Sequence, residues 1–331
     1  MLGEAGHRGA GVREGGPVRH RAAETLCPVV VDAGPERPAR APEGLGEHPW
    51  VCLPRSLAHH RRLVPGIRAQ QGLVVEIQTL LGGPGTVCDG VDAVRRASRD
   101  QLRTGAHHVK LMLSGGVASP TDRVDSLQFS ADEIEAVVEE ATNANRYVTG
   151  HAYTARAVNR GLELGLRCIE HGNLIDASSV ELFREHDAFL VPTLVTYEYL
   201  QKEGADAGLP PASQAKVGEM LEAGLHALDL ASRGGVKIAL GTDLLGSMHR
   251  HQSEEFRIHA QVQSPEDILR SATLVGAELL EQTGTLGVVA EGAAADLVLL
   301  RANPLEDAQV LASPERHVRM VVQGGRVVHE G

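Results

Sequence analysis

The sequence predicts an α/β protein: a (β/α) barrel of TIM type, incomplete on its N-terminal side, followed by a small C-terminal β module. Three observations predict it. From about residue 86 to 282, short apolar runs alternate with helix-length amphipathic stretches, and that alternation means parallel βα units. Lys110 lies inside one apolar run, and His151, His171 and Asp243 each close another. Strand ends on one face of a (β/α) barrel are where reactive residues collect. After Gly287 the pattern changes to short strands split by Gly or Asn-Pro turns.

Taken in order, residues 1–82 form an atypical first segment. Half of the 16 prolines precede residue 66, Arg, Gly and His are frequent, and no amphipathic helix pattern is present. The segment is expected to be poorly ordered, with Val29-Val30-Val31 and residues 72–77 as its candidate strands. The barrel domain is expected over 83–285. A helix is predicted over 87–103, then the strand 108–113. Ser130 with Glu133 three residues on is a capping signature for a helix to Asn143. Strands follow at 147–151, 167–171, 189–194 and 236–242. Between and after them helices are predicted at 154–165, 177–186, 211–233, 253–261 and 265–282. That gives five strand-plus-helix units, against eight in a closed barrel. The β module, 286–331, holds candidate strands at 296–300, 318–322 and 326–328.

Bulk properties exclude some functions. A chain of 331 residues with 42% hydrophobic content can bury a large core, and 3% aromatics means that core is aliphatic. The net charge of −11 argues against nucleic-acid binding. Cys27, Cys52, Cys88 and Cys168 lack CxxC pairing and read as reduced thiols of a cytoplasmic protein. No apolar run approaches the roughly 20 residues that span a bilayer, and no signal-peptide core opens the chain. The expected partner is a small molecule, with homo-oligomer formation left open.

Neutral imidazole is a common ligand of Zn²⁺, and strand ends would hold His151 and His171 rigidly. One such histidine is more often satisfied by backbone, but two in consecutive βα units favour a divalent metal. Lys110, between Val109 and Leu111, is expected to be buried. Burying an unpaired ammonium is costly, which favours the neutral amine. A neutral lysine can add CO₂ to form a carbamate, which bridges metal ions as a carboxylate does. The alternative is a lysine paired with a carboxylate at the barrel mouth. Asp243, after Gly241-Thr242, could move a proton between water and a leaving amine, or be a turn aspartate. Ser114-Gly115-Gly116-Val117 lacks phosphate-loop spacing and reads as an active-site loop. His249, Arg250 and His251 form a polar loop that could bind a substrate carboxylate or be solvated. Tyr197 faces the same rim and could polarise a carbonyl or pack.

These residues resemble a known family. Residues 109–117, Gly150-His151-Ala152-Tyr153-Thr154, Ile169-Glu170-His171-Gly172-Asn173, Val191-Pro192-Thr193-Leu194 and Gly241-Thr242-Asp243 resemble the imidazolonepropionase-like and prolidase-like branch of the amidohydrolase superfamily. The tail at 287–298 is similar to that family's return into a small β-sandwich. The resemblance implies a binuclear metal-dependent hydrolase acting on an amide or peptide C–N bond through metal-activated water. It implies Zn²⁺ as the metal and Lys110 as the carbamylated bridge. His151 and His171 would ligate one metal, and Asp243 would ligate the other and shuttle the proton. The stretches 193–199 and 248–255 look most like members that cleave Xaa-Pro dipeptides or related N-acyl amino acids.

The family opens its barrel with a strand ending in His-x-His. Among the early histidines, His7, His20, His48, His59 and His60 have neither that spacing nor an apolar run before them. The expectation is one well-held metal and low activity. The alternative is an inactive truncated or frameshifted homologue that folds and keeps at most one metal site. A third reading is a (β/α) binding protein whose polar residues are structural.

Overall fold

The computed structural model describes residues 86–331 apart from 119–122, 207 and 245, together with three short strands, β1 (Cys27–Val31), β2 (Val51–Leu53) and β3 (Leu73–Val75). The rest of the expected 1–82 segment lies outside the described residues. The main element is a six-stranded parallel sheet. It runs in chain order through β3, β4 (His108–Met112), β5 (Tyr147–Thr154), β6 (Cys168–Leu174), β7 (Phe189–Val191) and β8 (Lys237–Ile238). A second sheet orders β11 (Arg326–Glu330), β10 (Val318–Gln323), β9 (Leu297–Leu300), β1 and β2. Within it β9 pairs parallel with β1 and antiparallel with β10. The three C-terminal strands therefore form where their pattern placed them, and two N-terminal strands complete the sheet. No described helix is long and apolar enough to cross a membrane.

The connecting helices follow from local signals. Helix α1 (Val91–Arg103) and helix α2 (Ala131–Asn143) cover the outer face of the sheet, where Val109 and Leu111 are fully buried. The capping box forms as the sequence predicts. Glu133 N–H donates to Ser130 Oγ at 3.3 Å, and Ser130 N–H donates to Glu133 Oε2 at 2.7 Å. The second Glu133 oxygen accepts from Gly90 N–H at 2.7 Å, joining the starts of the two helices. Helix α3 (Ala155–Glu163) and helix α4 (Ala177–Glu185) also match expectation, and Thr154 and Asp176 cap them.

Three departures are physical. A helix not expected, α5 (Leu194–Glu203), follows β7 directly. The long helix expected over 211–233 breaks at Gly218-Glu219 into α6 (Pro211–Val217) and α7 (Met220–Arg233). The helix expected over 265–282 contains a π turn at Ser271–Val275, between α9 (Pro265–Arg270) and α10 (Gly276–Leu279); α8 (Glu254–His259) precedes them. The Ser271 carbonyl accepts from Leu240 N–H at 3.1 Å, so the widened turn anchors the segment that leads to Asp243.

At the N-terminal ends of the parallel strands, aromatic rings and cations alternate. His108 stacks on Tyr147 at 5.4 Å, and the Arg167 guanidinium lies 5.3 Å from the ring centres of both Tyr147 and Phe189. Lys237 Nζ sits 5.1 Å from the Phe189 ring. Each such contact is worth about 0.5–1.5 kcal/mol, and the ladder links β4 to β8 at the end opposite the reactive residues.

On the outer surface, buried Glu140 of α2 accepts from Arg95 Nη1 at 2.7 Å and from Arg99 Nη2 at 2.7 Å. The Arg99 bond, then Arg95, hold its carboxyl below the ordinary value against the opposing effect of burial. A depressed carboxylate stabilises the fold above the unfolded value, and that contribution is lost as pH falls through the folded one. Glu140→Gln should therefore cost about 1–3 kcal/mol at pH 7, with the gap to wild type closing below about pH 4. Urea unfolding at the two pH values checks this; a gap independent of pH would refute it.

Candidate active site

The reactive residues collect at the C-terminal ends of the parallel strands. Across the ladders, Met112 is opposite His151, His151 is opposite Glu170, and Ala152 is opposite His171. Successive residues of a strand ordinarily face opposite sides, which would separate Glu170 from His171. Here His171 has φ 76° and Gly172 φ 63°, and the β5–β6 register shifts beside them. The left-handed turn brings the His171 ring to 4.5 Å from the His151 ring. Thr193 after β7 and Asp243 after β8 are also left-handed, with φ 52° and φ 47°. Non-glycine residues in that region cost about 1–3 kcal/mol each and persist where their surroundings over-determine them.

Both histidines are buried, at 6% and 3% exposure. His151 Nε2 is 3.5 Å from the Gly115 carbonyl, too long for a good hydrogen bond. That carbonyl belongs to the glycine turn after β4, so the expected active-site loop does lie against His151. His171 Nδ1 is bonded to Thr193 Oγ1 at 2.7 Å, and its Nε2 has no partner among the described residues. Burial, then Lys110, pushes His151 down to about 3. Burial, then His151 and Lys110, holds His171 well below its ordinary value. Both rings are thereby neutral, the form that ligates a metal.

Lys110 differs from expectation in one respect. Its neighbours Val109 and Leu111 take the buried outer face, and Lys110 takes the inner one, half-buried, with no hydrogen bond or ion pair among the described residues. Its charge is still felt by His151, His171, Glu170 and Asp243. Asp243 opens onto the mouth of the site. The surrounding protein raises its carboxyl, with Lys110 and His249 opposing. Tyr197 is 1% exposed, 6.3 Å from both His171 and Tyr153 between ring centres. Its hydroxyl is buried beside the Tyr153 and Thr193 hydroxyls but in good hydrogen-bond geometry with neither, and burial, then Tyr153, raises the phenol well above its ordinary value.

The polar residues after Asp243 divide. They form a short 3₁₀ turn, Gly246–His251, rather than an open loop. His249 lies near Asp243. Arg250 Nη2 donates to Glu203 Oε2 at 2.5 Å, and His251 Nε2 meets Glu203 Oε1 at 2.8 Å while its ring stacks on Tyr199. Arg250 and His251 are thus held by α5 at the rim, apart from the histidine pair.

Sequence reasoning missed three neighbours. Glu170 shares the inner side with Lys110; burial pushes its carboxyl up, Lys110 opposes and Asp243 adds. The ladder register could have found it once the strands were placed. Tyr153 stacks on His171 at 5.2 Å and meets His151 edge-on at 4.8 Å. Thr193 orients His171. Among the described residues, no group of three or more His, Cys, Asp or Glu side chains is close enough to hold a metal by itself.

The chain is similar to proteins with related scaffolds. An ochratoxinase of Aspergillus niger is 33% identical over 246 residues, which is 74% of this chain and 51% of that protein. The crystal structure of a prolidase complexed with N-methylphosphonate-L-proline matches with TM-score 0.73 and 51% identity, over 75% of this chain and 60% of that one. A Xaa-Pro dipeptidase with methionine bound in its active site matches with TM-score 0.68 and 30% identity, over 75% and 60%. The chain spans about half the length of the curated relative and about 60% of each solved one. The model of the amidohydrolase family matches residues 53–328. A match over so much of the sequence, on a parallel βα scaffold, makes this chain a member of the amidohydrolase family.

Proposed function

We propose that the chain is a metal-dependent amidohydrolase that cleaves an amide or peptide C–N bond, with Xaa-Pro dipeptides and N-acyl amino acids as its substrate classes. The six parallel strands are, on this reading, part of a TIM-type barrel. The observation that carries the proposal is the pair of neutral, buried imidazoles 4.5 Å apart at adjacent strand ends. The relatives support the substrate class: a prolidase and a Xaa-Pro dipeptidase among the solved structures, and an ochratoxinase.

The donor set fits a divalent ion such as Zn²⁺. His151 and His171 supply nitrogen lone pairs, and oxygen comes from Asp243 and from Lys110 once CO₂ has converted it to a carbamate. Two imidazoles and these oxygens fit one well-held ion better than two. When bound, the metal supplies the Lewis acidity that activates water and polarises the carbonyl. Asp243, at the mouth, takes the proton of the attacking water. It passes that proton to the nitrogen as the C–N bond breaks, so the products are a carboxylate and a free amine. The buried Tyr197 hydroxyl donates to the substrate carbonyl oxygen. His249, beside Asp243, binds the substrate carboxylate, while Arg250 and His251 stay on Glu203 at the rim.

The test is hydrolysis of a panel of Xaa-Pro dipeptides and N-acyl amino acids by the purified chain loaded with Zn²⁺ in bicarbonate. Amine release that stops on chelation and returns with metal supports the proposal. No release from a fully loaded chain would leave the inactive homologue as the better reading.

A further inference from the structure

The first turn of α5 is capped from elsewhere in the chain. Thr193 stands at its N-cap, where a threonine hydroxyl normally accepts from the N–H groups of the first turn. Thr193 makes no such bond. Its hydroxyl is instead bonded to His171 Nδ1 at 2.7 Å. Leu194 and Val195 are fully buried, so their N–H groups need an acceptor. Glu255, 61 residues from Leu194, provides it: Oε1 accepts from Leu194 N–H at 2.8 Å and Oε2 from Val195 N–H at 2.6 Å. Glu255 is itself held. His259 Nε2–H donates to Oε1 at 3.0 Å, and His259 Nδ1 meets the Gln263 side-chain amide at 2.7 Å. Glu255 and His259 are both 0% exposed. A completely buried carboxylate with this many donors is an expensive way to cap one short helix by itself.

We propose that Glu255, braced by His259 and Gln263, is a positioning residue for His171: it takes over the capping of α5 and so frees the Thr193 hydroxyl to fix the His171 ring. The left-handed backbone at Thr193 is what aims that hydroxyl away from its own helix, and the two bonds from Glu255 to the residues that follow hold that backbone. With its proton on Nδ1, His171 donates to Thr193 Oγ1 and keeps the Nε2 lone pair for the site. The inference deepens the metal-hydrolase reading and rests on it for what His171 binds. The hydrogen-bond chain itself does not depend on that reading.

Glu255→Gln keeps the shape but can accept only one of the two backbone N–H groups, and its NH₂ opposes the other. With Co²⁺ as the probe, this variant of the full chain should bind 10–100-fold more weakly than wild type, with an altered visible spectrum. Ile134→Ala, on the buried face of α2 and outside the hydrogen-bond relay, serves as the stability control. It should lower the melting temperature at least as much and leave Co²⁺ affinity and spectrum unchanged. If Glu255→Gln does not fold, Thr193→Val tests the other end of the chain and should weaken Co²⁺ equally, with Thr193→Ser restoring it. Wild-type affinity and spectrum in Glu255→Gln and Thr193→Val would overturn the proposal. So would a loss in all variants that simply tracks stability. Should wild type take up no Co²⁺, the metal reading fails, and ¹⁵N NMR of the metal-free chain decides this one. His171 should be the Nδ1–H tautomer in wild type and a mixture in Thr193→Val; identical tautomers in both would refute the relay.

Discussion

Lys110→Ala should bind Zn²⁺ roughly 10–100-fold more weakly than wild type and lose most turnover, with both partly restored by acetate or propionate. As an ammonium, Lys110 would repel a cation from the two histidines, which already feel its charge. As a carbamate it carries the opposite charge and two oxygens. It sits half-buried on the inner side of β4, and no ion pair among the described residues commits it to the ammonium form. A short carboxylate can fill the space left by the side chain and replace the oxygens, whereas it cannot replace a positive charge. Wild-type metal uptake should also rise with bicarbonate. Full loading of Lys110→Ala, with no bicarbonate effect on wild type, would remove the carbamate from the account.

Asp243→Asn should lower kcat by about 10²–10⁴-fold, the usual contribution of a positioned acid–base group, with a much smaller change in metal content. Asparagine tolerates the left-handed conformation that Asp243 adopts, so the backbone there is kept; the strand expected over 236–242 is only Lys237–Ile238, and Asp243 lies in the segment beyond it. Its amide oxygen remains a neutral donor but cannot carry the proton to the departing amine. Steady-state kinetics with metal analysis on the same sample separates the two effects. An unchanged kcat would remove Asp243 from the proton transfer.

The parts of this fold that were legible in the sequence are those decided locally. The Ser130–Glu133 capping box announced α2, and the apolar runs that form β4 to β7 lie within about three residues of their expected places. What was not legible depends on distant partners. Helix α5 is preceded by a cap-type residue, Thr193, but that hydroxyl turns to His171 and the cap is Glu255, and Val195 and Thr196 in its first turn are poor helix formers. The π turn at Ser271 depends on Leu240 from another element. In the site, Lys110 within β4, His151 and His171 near the ends of β5 and β6, and Asp243 beyond β8 could be picked out from their places in the apolar runs. Glu170 could be found only through the ladder register, which sets it opposite His151 on the inner side, whereas His171 reaches that side through its left-handed backbone. Arg250 and His251 were placed near the right rim, but their partner Glu203 lies on the helix the sequence did not reveal.

The most direct test of the central claim is the zinc content per chain after equilibration with buffered Zn²⁺, for wild type and for the His151→Ala/His171→Ala double variant. The account predicts about one ion per wild-type chain, held mainly by the two imidazoles, and essentially none in the double variant. Equal zinc in the two proteins would contradict it.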